Sequence, residues 1–147
     1  MSETYDIIYH CAGSASVPYS VSNPVYDFEI NALGTLNLLE YARLSNSKKF
    51  IFLSTVSING MENILPLSEE SIKKPISPYG VSKLFNESLA HTYNETYKMN
   101  ITCLRFSNVY GPGSHRKNSV ISKFMRKILH NLPIEIYGDN YESLHQM

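Results

Sequence analysis

The stretch Phe50-Ile51-Phe52-Leu53, closed by Ser54-Thr55, decides the fold that we expect for this chain. Four consecutive apolar residues followed by hydroxyl side chains are typical of a strand buried on both faces. Similar runs lie at Asp6 to Cys11 and at Ile101-Thr102-Cys103-Leu104, and we expect a short fourth strand at Ile134-Glu135-Ile136-Tyr137.

Helical patterns separate these strands. Asn23-Pro24 predicts a helix that begins with a capping side chain and a proline, and apolar residues recur at helical spacing from there to Leu44. Ser77-Pro78 begins a second helix in the same way, running to about Met99, and a third is expected from about Ser119 to Asn131. Strands that alternate with such helices predict the α/β class, here a partial Rossmann-like parallel sheet with flanking helices.

In sheets of this kind, ligands bind at the carboxyl ends of the strands. Those positions hold Ala12-Gly13, Ser54-Thr55 and Ser107-Asn108. We therefore expect three strand ends to border one crevice.

The stretch Tyr79-Gly80-Val81-Ser82-Lys83 places a phenol and an ammonium group four residues apart on one face of the second helix. A free phenol has a pKa of about 10, and a fixed positive charge nearby lowers it. The pair is suited to exchanging a proton with an alcohol. The alternative is that both side chains decorate a solvated helix face.

The composition limits the classes of function. The chain has 147 residues, enough for one domain, and its 13 basic and 13 acidic side chains cancel, so neither nucleic acid nor a membrane surface is an expected partner. No basic or long apolar segment opens the chain, which predicts a cytoplasmic protein. Cys11 and Cys103 show no metal-ligand spacing and are expected to be small core residues.

Five motifs follow one another along the chain: His10-Cys11-Ala12-Gly13, Asn31-x-x-Gly34-Thr35, Ser54-Thr55 with Gly60 five residues after the threonine, Tyr79-x-x-x-Lys83, and Arg105-Phe106-Ser107-Asn108-Val109-Tyr110-Gly111-Pro112. Together they resemble the extended short-chain dehydrogenase/reductases and, more narrowly, the NAD-dependent epimerase/dehydratase group that acts on nucleotide sugars. The resemblance covers nearly the whole chain.

The resemblance implies a catalytic set of three residues. Tyr79 would transfer the proton, Lys83 would bind the nicotinamide ribose and lower the pKa of Tyr79, and Thr55 would orient the sugar alcohol. NAD would be the cofactor, with NADP left open, and the substrate would be a nucleotide sugar. The alternative for Thr55 is that it only ends a strand.

The resemblance also implies binding residues around this set. Ala12, Gly13, Asn31 and Ser107 would lie on the cofactor side, and Asn108 would contact the phosphates of the sugar nucleotide. Each has a structural alternative: tight packing at Ala12 and Gly13, a buried amide at Asn31, and an ordinary turn at Asn108. Glu87 and the five histidines are interpreted as surface or structural groups.

One departure from the family concerns completeness. The glycine-rich turn GxxGxxG, which holds the pyrophosphate in the family, does not occur, and Leu144 and His145 stand near the positions of a nucleotide-binding Arg-Asp pair. We therefore expect residues 1–147 to form part of an NAD-binding domain, with the substrate-binding part beginning at about residue 108. The chain alone is expected to be inactive.

A second departure narrows the reaction. Val56 and Ser57 follow Thr55, where the family's dehydratases usually place acidic residues. The resemblance therefore implies a nucleotide-sugar epimerase, with two alternatives: a catalytically silent fragment, and a reductase or dehydratase acting on another substrate. The helices at 24–44 and 78–99 are expected to form a homodimer interface.

Overall fold

The computed structural model describes residues 3–61, 65–114 and 119–136. The chain divides into two compact units, Met1–Ser107 and Asn108–Met147. None of the helices in these described ranges is long and apolar enough to span a membrane.

The first unit is built on three parallel strands in the order β1-β2-β3. They are β1 (Ile7–His10), β2 (Lys49–Thr55) and β3 (Ile101–Phe106). Phe52 is paired with His10 on one side and with Cys103 on the other, so β2 is the central strand. The predicted α/β class and partial Rossmann-like sheet are confirmed.

Two helical connections link these strands. The first contains α1 (Val17–Ser22), α2 (Pro24–Phe28), a π-helical turn (Glu29–Leu33) and α3 (Gly34–Leu44), and the second contains α4 (Pro78–Tyr97). The predicted helix at 24–44 is therefore present, with one wider turn in its middle. Such π-helical turns are found frequently at functional sites.

The start of the first connection differs from the prediction. Helix α1 was not predicted; the Ser16 hydroxyl caps it by accepting a hydrogen bond from the amide of Tyr19. Asn23 precedes Pro24 as expected, but its side chain forms no cap for α2. Instead, its backbone N–H and its side-chain Nδ2 both donate to the Tyr19 carbonyl, which closes α1. Asn23 therefore joins two helices.

The core of this unit lies between β2 and the helices α3 and α4. Its buried side chains are Leu39, Ala42, Phe50, Phe52, Ala90, Tyr93 and Ile101. Burial of this apolar surface stabilises the sheet face that carries Phe50 and Phe52 and holds α4 against it.

The other face of the sheet is open among the described residues, which corrects the expectation of strands buried on both faces. Ile7 and Tyr9 of β1 are 50% and 66% exposed. Cys11, expected in the core, is exposed because it lies just beyond the end of β1, and Cys103 is only partly buried.

The second unit contains α5 (Val120–Leu129), which confirms the third predicted helix. The predicted fourth strand is wrong for residues 134–136, which are exposed and form no strand. A strand needs a neighbour to satisfy its backbone hydrogen bonds, and none is present among the residues described in this unit. Tyr137, His115, Leu144 and His145 lie outside the described residues.

Candidate active site

The beginning of α4 carries the predicted proton-transfer pair. The Ser77 hydroxyl accepts a hydrogen bond from the Gly80 amide at 3.1 Å, and Pro78 opens the helix, as predicted. Tyr79 and Lys83 then lie one turn apart and are only 8% and 7% exposed. The structure therefore excludes the alternative that this pair decorates a solvated face.

Gly80 allows α4 to approach the end of β2 closely. A Cβ atom at this position would lie 2.7 Å from the carbonyl oxygen of Ser57 and 2.8 Å from Cβ of Pro75. Any larger residue would force the helix away from the segment that follows Thr55. Glycine at position 80 thus helps to bring Tyr79 and Thr55 together.

Thr55 ends β2 and is 7% exposed. Its hydroxyl accepts a hydrogen bond from the Ser57 amide at 3.2 Å, which caps a 3-10 turn at Val56–Ile58. Burial raises the pKa of Tyr79, a hydrogen bond with Thr55 lowers it, and the charge of Asp27 raises it again. Thr55 therefore ends a strand, as the structural alternative held, and its side chain also influences the pKa of Tyr79.

Lys83 is the third residue of the predicted catalytic set. Its Nζ atom donates to the Leu53 carbonyl at 3.0 Å and lies 4.7 Å from the Phe52 ring centroid and 5.9 Å from that of Tyr79. Burial lowers the pKa of Lys83, and the charge of Asp27 opposes this effect. The pKa of Tyr79 is raised overall, the reverse of the expected effect of Lys83, because loss of water outweighs the other influences.

Asn31 lies in the π-helical turn and is 2% exposed. Its Oδ1 accepts a hydrogen bond from the Ser14 amide at 2.9 Å, and its Nδ2 donates to the Ser14 carbonyl at 3.1 Å and to Oδ1 of Asp27 at 3.0 Å. Its own carbonyl accepts from Nδ2 of Asn86 at 2.9 Å. Asn31 thus ties the segment after β1 to two helices, and its role toward a cofactor remains a prediction.

Gly13 follows Ala12 at the carboxyl end of β1. Its φ of +149° is unfavourable for other residues, and a Cβ atom there would lie 2.6 Å from Oδ1 of Asn31 and 3.8 Å from Nζ of Lys83. Gly13, at the end of β1, therefore lies beside Asn31 and Lys83. Lys83 in turn is hydrogen-bonded to Leu53, near the end of β2. Ala12 is exposed, and its assigned contact with a dinucleotide remains a prediction.

Ser107 and Asn108 follow β3 and are both exposed. Ser107 stands at the same edge of the sheet as Thr55, because β2 and β3 are parallel and Thr55 is paired with Phe106. Asn108 belongs to the second unit. Their roles toward cofactor and substrate remain predictions.

The interpretation of Glu87 as a surface charge is wrong. Its carboxylate accepts hydrogen bonds from Ser54 Oγ at 2.6 Å and from Nε and Nη2 of Arg105 at 3.0 and 2.8 Å. Arg105 also donates to the Glu69 carbonyl at 2.8 Å. This network joins α4 to β2, β3 and the loop that precedes α4.

His10 is a buried structural histidine. The Thr35 hydroxyl donates its one proton to the Asn31 carbonyl at 2.6 Å. Nε2 of His10, which lies 2.8 Å from Thr35 Oγ1, must therefore donate to Thr35 Oγ1. Its Nδ1 is then a buried acceptor without a partner among the described residues. Burial lowers the pKa of His10 to about 4, and the charge of Lys83 acts in the same direction.

Two residues of the site were missed at the level of sequence. Asp27 has no exposed surface, and its Oδ2 accepts a hydrogen bond from Ser82 Oγ at 2.8 Å. Asp27 stands four residues before Asn31, and Ser82 is adjacent to Lys83. Helical spacing could have indicated both, but a lone acidic residue on a helix is ordinarily exposed.

Comparisons with known proteins agree with this arrangement. The sequence model of the NAD dependent epimerase/dehydratase family matches residues 1–144. The chain belongs to this family. It is 40% identical over 141 residues to a Methanocaldococcus jannaschii protein named "Putative UDP-glucose 4-epimerase", a match that covers 94% of this chain and 46% of that protein.

Two crystal structures of family members superpose closely. UDP-glucose 4-epimerase from Thermotoga maritima, with UDP-glucose, gives a TM-score of 0.85 at 36% identity, over 91% of this chain and 45% of that one. UDP-glucose 4-epimerase from Brucella ovis, in complex with NAD, gives 0.83 at 31% identity, over 93% and 45%. The chain thus spans less than half the length of the relatives it matches.

Proposed function

We propose that this chain supplies the proton-transfer site of an NAD-dependent epimerase that inverts C4 of a UDP-linked hexose. The observation that carries the proposal is the burial of Tyr79 and Lys83 one helical turn apart, with Thr55 near enough to lower the pKa of the tyrosine. The substrate class comes from the relatives, which are named as 4-epimerases of UDP-sugars.

In this proposal Tyr79 exchanges the proton of the sugar hydroxyl, and Thr55 holds that hydroxyl in line. Burial raises the pKa of Tyr79 and so disfavours its phenolate. Positive charge beyond that of Lys83 would therefore favour ionisation of the phenol. NAD, when bound, would supply a cationic ring and the acceptor for the hydride.

The donors at the site fit the ribose of such a cofactor. An ammonium group has three protons, of which Lys83 gives one to the Leu53 carbonyl. The remaining protons match a ribose diol, and the absence of a side chain at Gly13 lets the turn after β1 pack closely against Asn31 beside Lys83. Ala12, Gly13, Asn31 and Ser107 would form the cofactor side, and Asn108 the substrate side.

Epimerisation is favoured over dehydration by the turn after Thr55. By the resemblance, dehydratases of the family usually carry acidic side chains just after this threonine, whereas the 3-10 turn Val56–Ile58 offers two apolar side chains and a hydroxyl. Ser57 binds back to Thr55. Interconversion at one carbon needs only the Thr55, Tyr79 and Lys83 set and the cofactor.

A chimera tests the proposal despite the partial coverage of the relatives. The chain replaces the matching segment of the Thermotoga maritima UDP-glucose 4-epimerase, and interconversion of UDP-glucose and UDP-galactose is followed by proton NMR. We expect turnover from the chimera, loss of at least about a thousandfold with Tyr79→Phe, and little change with Tyr97→Phe, an exposed tyrosine on the same helix.

Two outcomes would contradict the proposed function. One is a folded chimera that binds UDP-glucose and NAD but does not interconvert the two sugars. The other is Tyr79→Phe turnover equal to that of the Tyr97→Phe control. Either result would leave Tyr79 a buried structural tyrosine.

We also propose that the protein is a cytoplasmic homodimer that associates through the helices predicted at 24–44 and 78–99, which the structure forms as α2, the π-helical turn, α3 and α4. Val25, Phe28 and Val81 are 71%, 39% and 48% exposed on these elements, and Phe28 contacts Phe85 with ring centroids 5.4 Å apart. Sedimentation equilibrium should give a dimer for the unmodified chain and a monomer for Val81→Glu. A monomer in both cases would overturn this part of the proposal.

A further inference from the structure

Asp27 carries a carboxylate with no exposed surface. Its Oδ1 accepts a hydrogen bond from Nδ2 of Asn31 at 3.0 Å, and its Oδ2 accepts one from Oγ of Ser82 at 2.8 Å. Both partners are neutral, and Asp27 forms no direct ion pair in the part of the chain that the structure describes. A buried carboxylate is costly unless a cation lies within reach.

Lys83 has the complementary need. It directly follows Ser82, it is 7% exposed, and its Nζ atom donates to a neutral carbonyl, that of Leu53, beside the ring of Phe52. Burial lowers its pKa, and the charge of Asp27 raises it. Oδ1 of Asn31, the partner of Asp27, and Nζ of Lys83 lie 2.6 and 3.8 Å from the same Cβ position at residue 13, so the two charges share one buried region. Opposite charges attract more strongly where water is excluded.

We propose that Asp27 is a positioning residue of this site: its buried carboxylate is the counter-charge that favours the ammonium form of Lys83, and it fixes the orientation of Asn31 beside the Gly13–Ser14 turn. The proposal rests on the proposed function for its catalytic meaning. Its physical content, a charge and an orientation, can be measured without turnover.

The effect on Asn31 follows from the hydrogen-bonding capacity of a carboxylate. An ionised carboxylate only accepts, so Asn31 must direct its NH2 group to Asp27, and its Oδ1 then faces the amide of Ser14 at 2.9 Å. The same Oδ1 lies 2.6 Å from where a Cβ of residue 13 would stand. Asp27 thereby determines which amide atom borders the turn at the end of β1.

The charge of Asp27 also acts on Tyr79. Burial raises the pKa of Tyr79, and Asp27 raises it further. The elements packed against α2 also carry Tyr19 on α1 and Glu29 in the π-helical turn, and His10 adds its own interaction with Lys83. Asp27 thus favours the protonated form of both Lys83 and Tyr79.

The test is an NMR titration of Lys83 in the full chain, with lysine labelled at Cε and Nζ. Asp27→Asn keeps the shape of the side chain and removes its charge. Glu29→Gln is the matched control, because it removes an exposed charge two residues away. We expect Asp27→Asn to move the Lys83 midpoint to lower pH and Glu29→Gln to leave it in place.

The turn is read out in the same samples by amide hydrogen exchange at Ser14. Asp27→Asn can still accept from Asn31, so protection of this amide should persist, whereas Asp27→Ala should lose it. A Lys83 midpoint that is unchanged in Asp27→Asn, or that moves equally in Glu29→Gln, would overturn the counter-charge. Protection that survives in Asp27→Ala would overturn the anchoring of Asn31.

A measurement on the unmodified chain covers the case in which a variant does not fold. With aspartate labelled at its carboxyl carbon, the Asp27 resonance at neutral pH should be that of an ionised group. A protonated Asp27 would refute the proposal. Because none of these readouts involves turnover, failure of the proposed activity and failure of this inference are separate results.

Discussion

The stability of the fold should depend on pH through His10. Its pKa is lowered from 6.5 to about 4 by burial and by the charge of Lys83. The folded state therefore binds fewer protons than the unfolded state between these two values, and stability is lost as the pH falls through that window. Linkage gives a loss of about 2 kcal/mol between about pH 7 and about pH 5 from this one group.

The perturbation that isolates this effect is His10→Phe. It keeps an aromatic ring against Phe50 and Phe52, whose centroids lie 5.9 and 5.6 Å from that of the imidazole, and it removes the titration. It also removes one neutral hydrogen bond to Thr35, worth about 1 kcal/mol. That loss is independent of pH and does not obscure the slope.

Urea unfolding at both pH values is the assay, with the difference between unmodified chain and variant as the quantity of interest. His91→Phe, at an exposed histidine of α4, is the control and should retain the pH dependence of the unmodified chain. If His10→Phe lost as much stability on acidification as the unmodified chain does, the assignment of a buried neutral imidazole would be refuted.

Two further predictions concern the packing of α4. Glu87→Gln should lower the free energy of unfolding by about 2 kcal/mol, because it leaves the half-buried Arg105 without its counter-charge. Asp6→Asn, in an exposed pair, should change the free energy of unfolding little. Equal effects of the two substitutions would contradict the burial of the Glu87–Arg105 pair. Gly80→Ala should lower the free energy of unfolding by about 1–3 kcal/mol through the clash with Ser57. Gly34→Ala is the control and should not destabilise its helix, because its Cβ would meet nothing closer than 4.0 Å. An unchanged free energy of unfolding in Gly80→Ala would show that α4 can move away without cost.

Local sequence patterns predicted the elements well where the chain itself supplies the signal. Ser77 and Pro78 mark the start of α4, because a side-chain cap and a fixed φ act within a single turn. The same pattern at Asn23 predicted a cap that does not form, because a second helix ends at that residue and engages it first. The apolar run at 134–136 forms no strand, because a strand depends on a partner that local sequence does not specify.

Sequence alone determined the family, the α/β class and the placing of Tyr79 and Lys83 on one helical face, since periodicity and spacing are properties of neighbouring residues. Only the tertiary structure decided the electrostatics of that face. In the sequence, Asp27, His10 and Glu87 are ordinary polar residues. Burial against other elements removes water from their side chains, so each charge or lone pair then needs a partner within the protein. The direction in which the pKa of Tyr79 moves follows from that burial, and sequence spacing alone predicted the opposite.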